Sequence, residues 1–377
     1  MKSKSNHIFI FLEIFNCEGG IQSYVKDVLQ AYQSLTLQKE NSNTAEVFLL
    51  RDEPGCENPF NVYPLRFHYL KSQLPVLGRL KLAVGLLLCL WQRPSHVFCG
   101  HIKLAPLTRL LCEWRGVPYT VLTYGKEVWN WLPDREREAL VAASGIWTIS
   151  RYSRDRLCAA HNLNLDKVQI LPCVVDGEAF TPGTKSPSLI TKYNLETSKV
   201  LMTVARLWPT DIYKGVDVTI RALPAIANVF PNIKYLVIGR GDDQPRLAQL
   251  AQDLGVGDRV VFAGFIPTAD LVEHYRLADA YIMPSQEGFG IVYLEAMACG
   301  KPVLAGDADG STDPLQDGRL GWQVPHRDID AVAAACIDIL KGSDRRCDPQ
   351  WLREQALALF SKDILAQQLK QQLDATL

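Results

Sequence analysis

A chain of 377 residues exceeds what one compact domain usually holds and points to two. Its 47% hydrophobic and 21% charged content is that of an ordinary globular protein and excludes a disordered or fibrous one. With 40 basic against 41 acidic side chains the net charge is −1, so no overall field draws the chain to nucleic acid, and none repels it from a membrane. Cysteines run from Cys17 to Cys347 without a C-x-x-C pair or a Cys/His group at zinc spacing. They read as small buried hydrophobes in a reducing compartment.

The opening MKSKSNHIFIFLEIF superficially resembles a secretion signal. Glu13 interrupts its apolar stretch and no small-residue cleavage site follows, so it reads as a buried strand over 7–15. Glu18-Gly19-Gly20-Ile21 comes next. Two glycines let the backbone approach a ligand and open a helix over 20–34; an ordinary strand-to-helix turn is the alternative. Strands at 46–50, 96–100, 119–123, 146–150 and 168–172 alternate with helices near 76–92, 104–115, 134–143 and 151–161. That alternation makes a parallel sheet covered on both faces. The most apolar segment, Leu82–Trp91, is too short for the roughly 20 residues of a membrane span. Lys71, Arg79, Lys81 and Arg93 flank that helix, and a solvated face is the favoured reading over a membrane-facing patch. His101 and the run Tyr124-Gly125-Lys126-Glu127 each follow a strand; for the histidine a packing or capping role competes with a functional one.

Residues 176–192, DGEAFTPGTKSPSLITK, read as a linker. The alternation then restarts, with strands near 199–205, 234–239, 259–263, 280–284, 302–305 and 321–324. The expected architecture is α/β: two facing doubly wound Rossmann-like domains over 1–180 and 181–355, and a final helix over 356–377 that packs back on the first. Ligands in such sheets bind at the carboxyl ends of the strands, so the cleft between the domains is the expected site. Arg206 ends the first strand of the second half, and Lys214 stands eight residues on in Tyr213-Lys214-Gly215. Two fixed cations there match a diphosphate; two solvated surface cations are the alternative. Ile238-Gly239-Arg240-Gly241 is a second strand-end glycine pair, weak as a dinucleotide fingerprint because Gln244 takes the third-glycine place.

Residues 285–300 read SQEGFGIVYLEAMACG. Glu287 precedes a helix whose first N–H groups, around Gly288, Phe289, Gly290 and Ile291, form an anion site suited to phosphate. Glu295 lies inside an apolar helix with no polar face, so its carboxylate needs hydrogen-bond donors, and sugar hydroxyls would serve. A helix-terminal charge and a buried ion-pair partner are the plainer readings.

Together these stretches resemble the retaining glycosyltransferase family 4, of the GT-B fold. E-G-F-G-I-V-Y-L-E resembles its E-x7-E motif, A-R-L…Y-K-G its Arg/Lys phosphate pair, G-G-I-Q-S-Y-V its N-terminal glycine turn and L-P-C-V-V-D-G-E-A-F-T-P its domain-closing segment. V-I-G-R-G…D-R-V-V-F-A-G-F fits as well, so the resemblance spans nearly the whole chain. It implies that Glu295 accepts ribose hydroxyls and Glu287 lies beside the donor sugar. Arg206 and Lys214 hold the diphosphate, helped by the Gly19 and Gly20 backbone, with Gly239 and the 288–291 turn lining the donor. Neither metal nor cofactor is expected, because the cations do that work. Tyr124, Lys126 and Glu127 fall on the acceptor side. The family often has T-H-G where this chain has Thr123-Tyr124-Gly125, and a phenol cannot shuttle a proton near pH 7 as imidazole does. His101 is the candidate to compensate. The family's E-I-V is here Asp313-Pro314-Leu315, which puts the grip of the 310–314 loop on the sugar in question.

The expected activity is hexose transfer from a nucleotide sugar, with UDP-glucose as first choice by its commonness in the family, to a carbohydrate or lipid-linked hydroxyl in polysaccharide or glycolipid assembly. The expected location is cytoplasmic, with peripheral contact at the inner membrane face admitted. A nucleotide-sugar epimerase or hydrolase on the same scaffold, and a non-catalytic sugar-nucleotide-binding subunit, are the rivals. A dehydrogenase is disfavoured by the missing third glycine.

Overall fold

A computed structural model describes residues 7–38 and 44–375. The chain forms two compact units, one from the residues up to Val174 together with those from Lys362 on, the other Val175–Ser361. The first holds β1 (His7–Phe11), α1 (Gly20–Gln38), β2 (Ala45–Leu49), β3 (Leu65–Tyr69), α2 (Pro75–Trp91), β4 (His96–Cys99) and α3 (Ala105–Arg115). It continues with β5 (Tyr119–Leu122), α4 (Asp134–Ala142), β6 (Gly145–Thr148), α5 (Arg151–His161) and β7 (Val168–Ile170). All strands are parallel, in the order β3-β2-β1-β4-β5-β6-β7. Every residue of β1 is buried, as expected of a central strand with helices on both faces. α2 buries Gly78, Leu82, Leu86 and Leu90, one residue per helical turn.

β3 is absent from the strands expected of the sequence. It is the edge strand, and its polar Arg66 and His68 break the apolar run by which a buried parallel strand is read.

The second unit holds α6 (Pro187–Tyr193), β8 (Lys199–Val204), α7 (Val216–Val229), β9 (Ile233–Ile238), α8 (Gln244–Asp253), β10 (Val260–Gly264) and α9 (Thr268–Leu277). β11 (Ala280–Ile282), α10 (Ile291–Ala298), β12 (Val303–Gly306), β13 (Trp322–Val324), α11 (Ile329–Lys341) and α12 (Pro349–Phe360) complete it. Its strand order is β10-β9-β8-β11-β12-β13, again parallel, with a core that includes Leu201, Val237, Ile282 and Leu304. Residues 187–193 of the stretch read as a linker are helical, started by Pro187 and stopped at Asn194 in the left-handed region.

The C-terminal helical pattern divides at Ser361, which is extended and bridges Val175; the Val175 N–H donates to the Phe360 carbonyl at 2.9 Å. Beyond it α13 (Lys362–Ala375) returns to the first unit and packs on α1. The helix read at the end of the sequence therefore crosses back to the N-terminal sheet as expected.

Candidate active site

Apart from Ile291 and Glu295 in α10, the candidate residues of the second unit lie on loops at the carboxyl ends of β8, β9 and β11. After β8 the chain passes Arg206 and makes a 3-10 segment, Pro209–Lys214, that ends at Gly215 with φ 75°. A Cβ on Gly215 would lie 2.4 Å from the Pro284 carbonyl, so only glycine lets this segment close on the loop after β11. The Gln286 N–H donates to the Tyr213 carbonyl at 3.0 Å and fastens the two loops. Across that seam the Lys214 ammonium forms a short ion pair with Glu287 Oε1, both side chains being largely buried. Burial lowers the Lys214 pKa, but the charge and hydrogen bond of the Glu287 carboxylate are set against it, and the net direction is upward. Lys214 is thus held as a desolvated, permanent cation.

Arg206 behaves differently. Its side chain is 67% exposed and its Nε lies 3.1 Å from Asp211 Oδ2, a carboxylate buried in the same loop. The structure gives each cation its own carboxylate rather than pairing the cations with each other.

Glu287 is gripped from a third loop. Its N–H donates a short hydrogen bond to Asp309 Oδ2, and its carbonyl accepts the Gly310 N–H at 2.8 Å. Asp309 also accepts the Ser311 N–H at 2.8 Å and the Ser311 hydroxyl. Burial raises the Asp309 carboxyl to about 6, against the pull of these donors. Neither Asp309 nor Asp211 was singled out by the sequence. The only available signal was an aspartate at a strand end next to glycine, and its partner lies 22 positions away.

α10 begins after Gly290 and buries Tyr293 to Ala298. Phe289 is a core residue, edge-to-face with Phe360 at 5.8 Å, so its ring is unavailable to a ligand. Gly239 follows β9, and its N–H donates to the Gly264 carbonyl at 2.8 Å. Glu295 has the donor its burial demands: the Tyr275 hydroxyl donates to Oε2 at 2.7 Å. Burial still raises its carboxyl from 4.5 to about 7. The folded state then holds this proton more tightly than the unfolded chain, so stability is lost as pH rises from about 4.5 through 7. Glu295→Gln removes that loss. It is expected to exceed the wild type by about 2–3 kcal/mol at pH 8 and to match it near pH 4, read by urea denaturation. Equal stability at pH 8 would contradict the buried-carboxylate reading.

The remaining candidates stand in the first unit. Gly19 and Gly20 lie where α1 begins, on a loop anchored by buried Asp52, which accepts the N–H groups of Ile14, Phe15 and Asn16 at 2.7, 3.0 and 2.8 Å. His101 caps a 3-10 turn, its Nδ1 accepting the Lys103 N–H at 3.1 Å. Burial and the Lys103 and Arg51 charges lower its pKa to about 4, so the ring is neutral with its proton on Nε2. The Tyr124 hydroxyl donates to the Gly100 carbonyl at 2.7 Å. Glu127 accepts the Tyr124 and Gly125 N–H groups, and Lys126 is exposed beside it. Tyr124 and Glu127 therefore shape their own turn. Among the described residues no group of His, Cys, Asp and Glu is arranged to hold a metal ion.

Two parallel Rossmann-like sheets and a terminal helix returned to the first are the architecture of the GT-B fold. The profile of the family described as "Glycosyl transferases group 1" matches residues 187–350. The chain is 32% identical over 343 residues to the "GDP-mannose-dependent alpha-(1-6)-phosphatidylinositol monomannoside mannosyltransferase" of Mycolicibacterium smegmatis, covering 85% of this chain and 86% of that one. It is 33% identical over 265 residues to the enzyme of the same name from Mycobacterium tuberculosis, 67% and 66% of the two chains. Among solved structures, a glycosyltransferase of Rickettsia africae superposes with a TM-score of 0.78 over 99% of this chain and 98% of that one, at 16% identity, a likeness of fold. The chain belongs to the group 1 glycosyltransferases, family 4, and is a hexosyltransferase.

Proposed function

We propose that this enzyme transfers mannose from GDP-mannose to a hydroxyl of a phosphatidylinositol-derived glycolipid. The donor differs from the UDP-glucose expected of the sequence, because the relatives matched over most of the chain are named for GDP-mannose and for an inositol lipid. The single observation that carries the transfer reading is the buried Lys214–Glu287 pair at the seam of two strand-end loops.

In this reading the donor pyrophosphate takes Glu287's place as counter-ion of Lys214, with the exposed Arg206 turning from Asp211 to the same phosphates. Charge that develops on the departing GDP falls first on the Lys214 ammonium, already fixed and desolvated, which is where such a group acts most strongly. Glu287, released from Lys214 and still held through its backbone by Asp309 and Gly310, accepts sugar hydroxyls. Glu295 accepts the ribose hydroxyls. The N–H groups of the 288–291 turn add to the phosphate cradle. The bond from the anomeric carbon to the phosphate oxygen breaks as the acceptor hydroxyl attacks from the same face. A phosphate oxygen of the leaving GDP takes the proton, so configuration is retained without a metal. His101, Tyr124, Lys126 and Glu127 are the first unit's candidates for the acceptor side.

The test is turnover of radiolabelled GDP-mannose and UDP-glucose by the purified enzyme, with and without phosphatidylinositol mannoside. Label entering the organic phase from GDP-mannose alone, and only with the lipid, is expected. Transfer from UDP-glucose alone overturns the donor, and free or altered sugar without lipid favours a hydrolase or epimerase. Binding without turnover favours a non-catalytic subunit.

A further inference from the structure

The flank of α2 read as solvated from its four cations is apolar in the structure. The helix carries two apolar rows. Gly78, Leu82, Leu86 and Leu90 face the sheet, while Leu77, Leu80, Val84, Leu88 and Trp91 are exposed, Leu80 by 58% and Leu88 by 65%. At about 100° per residue the exposed row falls within an arc of about 80°, on the side opposite the buried one. α3 adds Leu110 and Trp114, exposed by 66% and 61%. Between the two helices the Arg115 guanidinium lies over both exposed indoles, 4.7 Å from the Trp91 ring and 5.2 Å from that of Trp114. A monomer rarely leaves a contiguous apolar surface of this kind in water.

Along α2 and its flanks in the sequence the charges are of one sign, and Glu113, the carboxylate beside Trp114, pairs with Arg109. No aspartate or glutamate occurs in the sequence from residue 58 to residue 112. Arg66, Lys71 and Arg109 find partners outside that stretch, on Glu46, Glu53, and Glu113 with Glu138. Arg79, Lys81 and Arg93 make no ion pair among the described residues. An apolar row bordered by unmatched cations, with indoles and a guanidinium at its end, has the chemistry of a helix lying in a headgroup layer. No helix among the described residues is long and apolar enough to cross a membrane, so the fit is to the surface.

We infer that the exposed face of α2, extended by Trp114 of α3, docks on an anionic lipid surface. The leucine row enters the acyl boundary, Trp91 and Trp114 sit at headgroup depth, and Lys81 and Arg93 meet lipid phosphates. A second copy of the chain is the poorer occupant. A two-fold interface would set this patch against itself and bring Lys81 and Arg93 toward their own counterparts. The surface belongs to the first unit and depends on neither the donor nor the acceptor proposed above.

The test is co-sedimentation of the full-length protein with phosphatidylcholine vesicles, with or without 30% phosphatidylglycerol (about that fraction suffices for a negative surface potential), and with no sugar substrate present. Binding to the anionic vesicles that weakens with salt is expected. Leu80→Glu with Leu88→Glu should lower partitioning by about tenfold or more. Lys81→Gln with Arg93→Gln should lower it by about fivefold or more on anionic vesicles alone. Both variants should keep the wild-type melting temperature and GDP affinity, which excludes misfolding as the cause. Unchanged partitioning of the leucine variant overturns the inference, as does equal binding to neutral and anionic vesicles. So does a dimer in solution that the leucine variant dissolves.

Discussion

Replacing Lys214 by alanine is expected to lower kcat/KM for sugar transfer by about 100-fold or more while the protein stays folded. The size of the effect comes from where the ammonium sits. It is desolvated, held charged by Glu287, and fixed by a loop that only Gly215 can close against Pro284. A solvated lysine would be screened and would reorient with the developing charge; this one can do neither. The same substitution leaves the Glu287 carboxylate without its cation, 15% exposed, at a cost of about 1–3 kcal/mol. Arg206→Ala should cost less, since that side chain is 67% exposed and moves toward its ligand at some loss of order. Steady-state kinetics on folded, purified variants decides the matter, and wild-type transfer by Lys214→Ala would refute the role.

The second large effect is expected at a residue with no side chain. A Cβ on Gly310 would stand 2.0 Å from the Gly288 carbonyl oxygen and 2.8 Å from that of Glu287, both of them backbone. Gly310 has no unusual φ, so the obstacle is contact alone. The methyl of Gly310→Ala must push the 287–290 turn away, breaking the 2.8 Å bond from Gly310 N–H and loosening the grip of Asp309 on the Glu287 N–H. Transfer should fall by about tenfold or more, and stability by about 1–3 kcal/mol as for other overpacked sites. Gly20→Ala is the matched control for stability, because its Cβ would meet nothing within 4 Å. Wild-type kinetics in Gly310→Ala would show that the turn need not be held where the structure has it.

What the sequence made legible was periodic or local. Buried strands such as HIFIF and the strand-end glycines, Arg206, Lys214, Glu287 and Glu295 could be placed because each belongs to a run whose apolar pattern sets its position. Partnership across the fold was not legible. That Glu295 needs a donor follows from its apolar helix; that Tyr275 supplies it depends on how α9 packs on α10. Asp309 and Asp211 were passed over for the same reason, since the groups they hold come from loops brought together by sheet order. β3 escaped because an edge strand alternates polar and apolar residues as a loop can. The exposed apolar row of α2 went unnoticed because cations were counted without the leucines between them, and only burial shows which of two apolar rows faces the sheet.

The most direct measurement is an experimental structure with GDP bound. The predicted result has the pyrophosphate within hydrogen-bonding distance of Lys214 Nζ and the Arg206 guanidinium, Glu287 withdrawn from Lys214, and a ribose hydroxyl on the Glu295 carboxylate. GDP seated elsewhere, with Lys214 still closed on Glu287, would contradict it.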